Sequence, residues 1–276
     1  MASRMLAVWE NRRVVSLLVR RDLKVKYQQS ALGYAWSMLE PLAMAGVYLF
    51  VFGVILQANR GIPEGAPGGF ILFLVAGILA WQSFSQALNE APKAMITHAK
   101  LITTMKVPRE IFPLATVTAK FVEYLITLPV LLVFVIALGG QWTVSGLLFW
   151  LPLALVTQFV FTLGMVLLLS SVNVLVRDVE RIVRILNRVL FYGSAVIYPS
   201  TLVLQGALVP EWAQVAYQLN PLLGIFEMHR AVWFSNYPEL TPSTLALSTA
   251  LGGAVLILVV GYMTFRRLET SVLKEL

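Results

Sequence analysis

Four arginines, Arg177, Arg181, Arg184 and Arg188, recur at spacings of four, three and four residues. On a helix that spacing stacks four guanidinium groups on one face, with Val179, Ile182, Val183 and Leu186 toward the other side. A guanidinium is permanently charged and grips phosphate or carboxylate through two parallel hydrogen bonds. The face therefore suits a lipid phosphate, a pyrophosphate or an acidic protein surface, the alternative being plain topogenic charge. A second cationic face lies near the N-terminus. Along Arg13–Tyr27 a helical repeat groups Arg13, Arg20, Lys24 and Tyr27, with Val14, Val15, Leu18 and Val25 opposite. That is the pattern of a helix lying in an interface plane, its apolar side in the acyl boundary.

Bond-making chemistry has little to draw on. The chain holds two aspartates, Asp22 and Asp178, two histidines, His98 and His229, and no cysteine. Disulfides and thiolate metal sites are excluded, and paired aspartates, HExxH and Ser-His-Asp sets lack their parts. No GxxxxGK[ST] phosphate loop occurs, so the chain is not a self-contained ATPase. We expect no enzyme, no metal and no cofactor in this chain.

The elements that must carry those cations are apolar helices. Of 276 residues, 58% are hydrophobic and 13% charged, against about 25% charged in ordinary soluble domains. Stretches of about 20 apolar residues are long enough to cross a bilayer. Five qualify: Tyr34–Leu56, Phe70–Leu88, Pro113–Leu138, Leu147–Val176 and Leu245–Phe265. A sixth, about Ile185–Leu204, is interrupted by Asn187, Arg188 and Pro199. Trp212–Phe234 contains Asn220-Pro221 and, later, Glu227, His229 and Arg230, and reads as a re-entrant helical hairpin. The predicted fold is an all-α integral membrane protein. It has six transmembrane helices, an N-terminal amphipathic interface helix, and a re-entrant external helical hairpin between spans 5 and 6. One membrane domain then fills residues 1–276: a cytoplasmic N-terminal segment (1–30), the six-helix part (31–265) and a cytoplasmic tail (266–276).

Charge sets the orientation. The formal net charge is +7, and eighteen of the 21 Lys and Arg fall in 1–26, 89–110, 177–188 and the segment after Phe265. Arg60 and Arg230 fall on the opposite side, and Lys120 lies inside a span. Cytoplasmic loops carry the basic excess, so both termini are predicted in the cytoplasm. The surplus reflects lipid and partner contacts rather than nucleic acid. Within the third span Lys120 and Glu123 are three apart and are expected to pair with each other. Aromatic faces stack on sugar rings and also serve interface belts and lipid contacts, so Tyr34, Trp36, Trp81, Phe84, Tyr192 and Tyr198 are candidates either to line a channel or to meet lipid.

The string Arg21-Asp22-Leu23-Lys24-Val25-Lys26-Tyr27-Gln28-Gln29-Ser30-Ala31-Leu32-Gly33-Tyr34-Ala35-Trp36, then Glu40-Pro41, resembles the N-terminal signature of ABC-2 type permeases that export O-antigen, capsule, teichoic acid, galactan and other surface polysaccharides. Lys26 stands where that family usually has Arg. Leu101-Ile102 and Val107-Pro108-Arg109-Glu110-Ile111-Phe112-Pro113 match a second element, with Val107 in place of an aromatic. Phe191-Tyr192-Gly193-Ser194-Ala195-Val196-Ile197-Tyr198-Pro199 resembles the fifth-span element, with Ala195 where Pro is common and a weaker kink therefore expected. Asn220-Pro221 resembles the pair in the external re-entrant helices.

The resemblance implies the permease subunit of an ATP-driven exporter of polyprenyl-pyrophosphate-linked polysaccharide in a bacterial plasma membrane. It implies a homodimer working with two copies of a separate ATP-binding subunit, which holds ATP and Mg. The loop helix Ala94–Thr104 would couple to that ATPase through His98, Lys100, Leu101 and Ile102, with Arg177, Arg181 and Arg184 as a second contact. Arg20, Lys24, Lys26, Tyr27 and Arg188 would receive the lipid-pyrophosphate end, and Asn220 and Pro221 would belong to the external gate. A drug or lipid permease of the same type, and a polytopic glycosyl- or phospho-transferase, are the competing readings; scarce carboxylates disfavour the transferase.

Overall fold

The computed structural model describes residues 2–28, 30, 32–55, 62–63, 66, 69–105, 107–137, 143–205 and 209–275. The side chains of Tyr27 and Tyr34, two of the candidate site residues, lie outside that description. Among the described residues every regular element is helical. In chain order they are α1 (Ala2–Glu10), α2 (Arg12–Tyr27), α3 (Trp36–Tyr48), α4 (Gly69–Glu90), α5 (Ala99–Thr104), α6 (Ile111–Ala137) and α7 (Leu151–Leu175). They continue with α8 (Val179–Gly193), α9 (Thr201–Leu204), α10 (Glu211–Gln218), α11 (Pro221–Phe234) and α12 (Thr244–Glu275).

Among the described residues four helices are long and apolar enough to cross a membrane: Gly69–Lys93, Ile111–Ala137, Gly146–Leu175 and Pro238–Glu275. They coincide with four of the apolar runs. The first run folds as α3 continued by wider π turns over Leu49–Ile55. Gly33 at φ +51° makes the bend between α2 and α3, in the left-handed region that only glycine enters freely.

Two expectations change. A helix over Ile185–Leu204 does not form: α8 stops at Gly193, and the chain runs irregularly to Ser200 with Ala195 at φ +53°. At fifteen residues α8 is about 22 Å long, short of the ~30 Å hydrocarbon core. The kink expected to weaken at Ala195 is instead a full break. Its freed backbone groups are satisfied from α11, because the Asn220 amide donates to the Gly193 carbonyl at 3.0 Å and Arg230 donates to that of Val196 at 2.6 Å. Such irregular backbone survives at membrane depth only with partners of this kind. The predicted tail 266–276 is also not a separate tail, since α12 continues through it as one 32-residue helix to Glu275.

The principal core is formed by α4, α6, α7, α8, α11 and α12, and α11 is buried from Leu222 to Phe234. α7 and α12 meet backbone to backbone. A Cβ on Gly261 would lie 2.1 Å from the Gly164 carbonyl oxygen, a close approach that small residues allow between membrane helices. A second cluster joins Leu18, Val19 and Leu23 of α2, Met95 and Ile102 of the loop, Phe112 of α6, and Phe265 and Val272 of α12.

Candidate functional site

The second cluster turns three separate sequence features into one body. The apolar side of α2, which its pattern directs toward lipid, packs on the chain itself through Leu18, Val19 and Leu23. Val25 alone of the expected apolar set is strongly exposed. The loop folds as short 3-10 turns, Ala91–Lys93 and Ile96–His98, followed by α5. Asn173 at the end of α7 donates to the Pro92 carbonyl at 2.8 Å and ties the loop to α7. Arg109 donates to Glu269 of α12 at 2.6 Å, and that carboxylate is nearly buried.

A cavity of about 600 Å³ opens between α2, the loop and the first turns of α6. Its charges are interlocked. Lys120 Nζ lies 2.6 Å from Glu90 Oε1 and 3.6 Å from Glu123 Oε1, while Lys26 Nζ reaches Glu123 Oε2 at 2.7 Å. The expected Lys120–Glu123 pair is thus the weaker contact in a four-membered network, because α2 and α4 bring a second cation and a second carboxylate to the same place. Arg21 Nη2 approaches His98 Nδ1 at 3.0 Å and Asp22 Oδ1 at 2.7 Å. Burial against Phe112, then the neighbouring Arg21 guanidinium, lowers the His98 pKa from the usual imidazole range.

The proposed coupling residues therefore divide. Lys100 is exposed and Leu101 half-buried, whereas His98 and Ile102 face inward. The loop's outward surface is made by Ile96, Thr97, Lys100, Thr103, Thr104 and Met105. Arg177, Arg181, Arg184 and Arg188 are all exposed and form a guanidinium face beside and along α8. Next to it runs an exposed apolar stripe of Ile182, Ile185, Val189 and Tyr192. Arg20 and Lys24 are exposed on the outer side of α2, while Lys26 is engaged with Glu123.

The aromatic candidates divide in the same way. Trp81 and Phe84 are buried in the core, where Trp81 packs on Phe84, Phe191 and Phe226. Within the protomer they line no open surface. Trp36 and Tyr192 present exposed rings, and Tyr198 is half-buried with its hydroxyl donating to the Tyr192 carbonyl. Asn220 caps α11 by accepting from Leu222 N at 3.0 Å, and Pro221 takes the first helical position.

The structure adds a polar set to which the sequence reading gave no role. His229 Nδ1 meets the Tyr124 hydroxyl at 3.0 Å, and its Nε2 meets Gln158 Oε1 at 2.5 Å. Gln158 in turn donates to the Ala80 carbonyl at 3.0 Å. The Arg230 guanidinium sits 3.7 Å from the centre of the Phe73 ring, in space left by Gly77. Ser200 donates to Glu227 across the break after α8. Ionisable groups inside an otherwise apolar segment were the available signal. Their partners, 27 to 105 residues away, had none.

Long apolar helices with exposed apolar faces, packed around the buried, polar-bearing α11, define an integral membrane protein. The chain belongs to the ABC-2 type transporter family, whose profile matches residues 13–234. It is similar to the O-antigen export system permease protein RfbA of Klebsiella pneumoniae, 28% identical over 92% of this chain and 91% of the relative. RfbA of Myxococcus xanthus is 29% identical over 85% and 86% of the two chains. The polysialic acid transport protein KpsM of Escherichia coli is 24% identical over 81% and 82%.

Proposed function

We propose that this chain is the membrane-spanning subunit of an ATP-driven exporter that moves a lipid-linked cell-surface polysaccharide out of a bacterial cytoplasm. The observation that carries the reading is the second cluster, in which α2, the α4–α6 loop and the end of α12 share one apolar core. A push on the loop surface at Lys100 is thereby passed to two long helices as a rigid body. Relatives named for O-antigen export and polysialic acid transport support a polysaccharide cargo. ATP and Mg would belong to a separate subunit, present twice, that docks on the outward loop surface and on the arginine face. Two copies of this chain would enclose the conduit. We read six crossings with both termini cytoplasmic: α3, α4, α6, α7 and α12 as continuous spans, and α8–α9 as a broken one.

Co-expression with an ATP-binding subunit of an ABC-2 polysaccharide exporter tests the reading. The two should purify together, and reconstituted vesicles should hydrolyse ATP and translocate a polyprenyl-pyrophosphate glycan. A purified chain that transferred sugars or phosphate without any ATPase would overturn it.

A further inference from the structure

The α1–α2 elbow leaves part of α6 uncovered. Leu114, Thr118 and Val122 are four apart and form a single ridge, and a cavity of about 460 Å³ separates that ridge from Val8, Val15 and Val19. The Thr118 hydroxyl donates to the Leu114 carbonyl at 2.7 Å, so its hydrogen-bonding capacity is spent inside α6. Apart from Ser16 and the spent Thr118 hydroxyl, the walls are apolar over the about 12 Å of helix rise, some two turns, from Leu114 to Val122. The volume lies within the ~300–1,000 Å³ of sites for single small ligands.

The mouth has the opposite character. Arg12 is the one charged residue among those lining the cavity. It is exposed, donates to the Trp9 carbonyl, and holds its guanidinium 5.3 Å from the centre of the Trp9 ring. Among the described residues no carboxylate lies within ion-pair distance of it. Trp9 is 68% exposed, and an indole beside a cation is the usual furniture of the headgroup boundary. The 600 Å³ cavity on the other side of α2 differs in kind, since there cations are matched by Asp22, Glu90 and Glu123. A free phosphate would leave the apolar walls wet, and a neutral chain would leave Arg12 unmatched.

The geometry points to a binding site for one anionic phospholipid, with an acyl chain along Leu114, Thr118 and Val122 and its phosphate on Arg12. The lipid would wedge α1 and α2 against α6, so that membrane composition stabilises the interface helix. This site shares no lining residue with the 600 Å³ cavity, and its test needs no export activity.

The purified chain in neutral detergent is titrated with phosphatidylglycerol, with phosphatidylcholine of the same acyl chains, and with inorganic phosphate. Retained lipid is read by native mass spectrometry and stability by thermal unfolding. Phosphatidylglycerol should be retained and raise the melting temperature; the other two should not. Arg12→Gln should weaken retention about fivefold, while Arg267→Gln, an exposed cation elsewhere, leaves it unchanged. Thr118→Trp fills the cavity and should abolish retention, and Val15→Phe is the second filling variant should the first fail to fold. A photocrosslinker at Val15 should capture lipid. Equal loss from Arg12→Gln and Arg267→Gln, retention unaltered by a folded filling variant, an equal shift from inorganic phosphate or phosphatidylcholine, or a cross-link to a second copy would each overturn the site.

Discussion

In the proposed orientation the outer end of α12 meets α11 through backbone and the rigid Pro221 ring, whereas its inner end reaches the second cluster through side chains and charge. At the outer end a Cβ on Gly224 would fall 2.1 Å from the Ala246 carbonyl oxygen, and one on Gly253 would fall 2.4 Å from the Pro221 ring. At the inner end Phe265 and Val272 join an apolar cluster, and Glu269 binds Arg109. Close backbone contact has one arrangement and no slack, because the atoms cannot rotate away. Side chains and ion pairs have several rotamers and can exchange partners. The outer end is thus the less tolerant of added volume, and the inner end, which moves as one packed body with the loop, is the more tolerant of losing a single charge.

The sharpest way to break the contrast is to add volume at the outer end. Gly224→Val should cost about 3 kcal/mol or more, read as loss of a monodisperse, cooperatively melting protein. A variant as stable as the parent would show that the hairpin has slack after all. Next, His229→Leu strands the Tyr124 hydroxyl and Gln158 amide in the core and should cost about 1–2 kcal/mol. Glu123→Gln at the inner end should cost about 1 kcal/mol or less, because Lys120 keeps Glu90 and Lys26 is partly exposed. Reversal of that order in thermal unfolding would contradict the comparison.

Replacing Arg181 and Arg184 with Ala should leave stability within about 0.5 kcal/mol, since both are exposed. Export should nevertheless fall while insertion stays intact; unchanged export would reduce the face to topogenic charge. The smallest effect is a pH dependence at His98. Its folded pKa is lowered by burial and by Arg21, so between the folded value and the ordinary one near 6.5 the unfolded chain binds the extra proton. Its contribution is therefore present above pH about 6.5 and lost as pH falls. His98→Gln should flatten the decline in melting temperature on acidification, and an unaltered slope would place the sensitivity elsewhere.

Much of this was open to reading in one dimension. Apolar runs identified α4, α6, α7 and the membrane part of α12, because a long uncharged stretch has few stable alternatives to a spanning helix. The guanidinium face of α8 followed from spacing alone. The cytoplasmic end of α12 did not, since Arg266, Arg267 and Glu269 look like a solvated tail until Arg109, 160 residues away, supplies a partner. Trp81 and Phe84 illustrate the same limit: an aromatic in a span serves equally as lining or as core, and only the arrival of Phe191 and Phe226 decides.

Local chemistry thus settles helix and the length of an apolar run, each of which depends on neighbours in the chain and on the surrounding solvent. The break after Gly193, the burial of Arg230 against Phe73, and the union of interface helix, loop and terminal helix were decided by tertiary structure. Each rests on polar or close-packed contacts between distant segments, and their free energy does not exist until those segments meet.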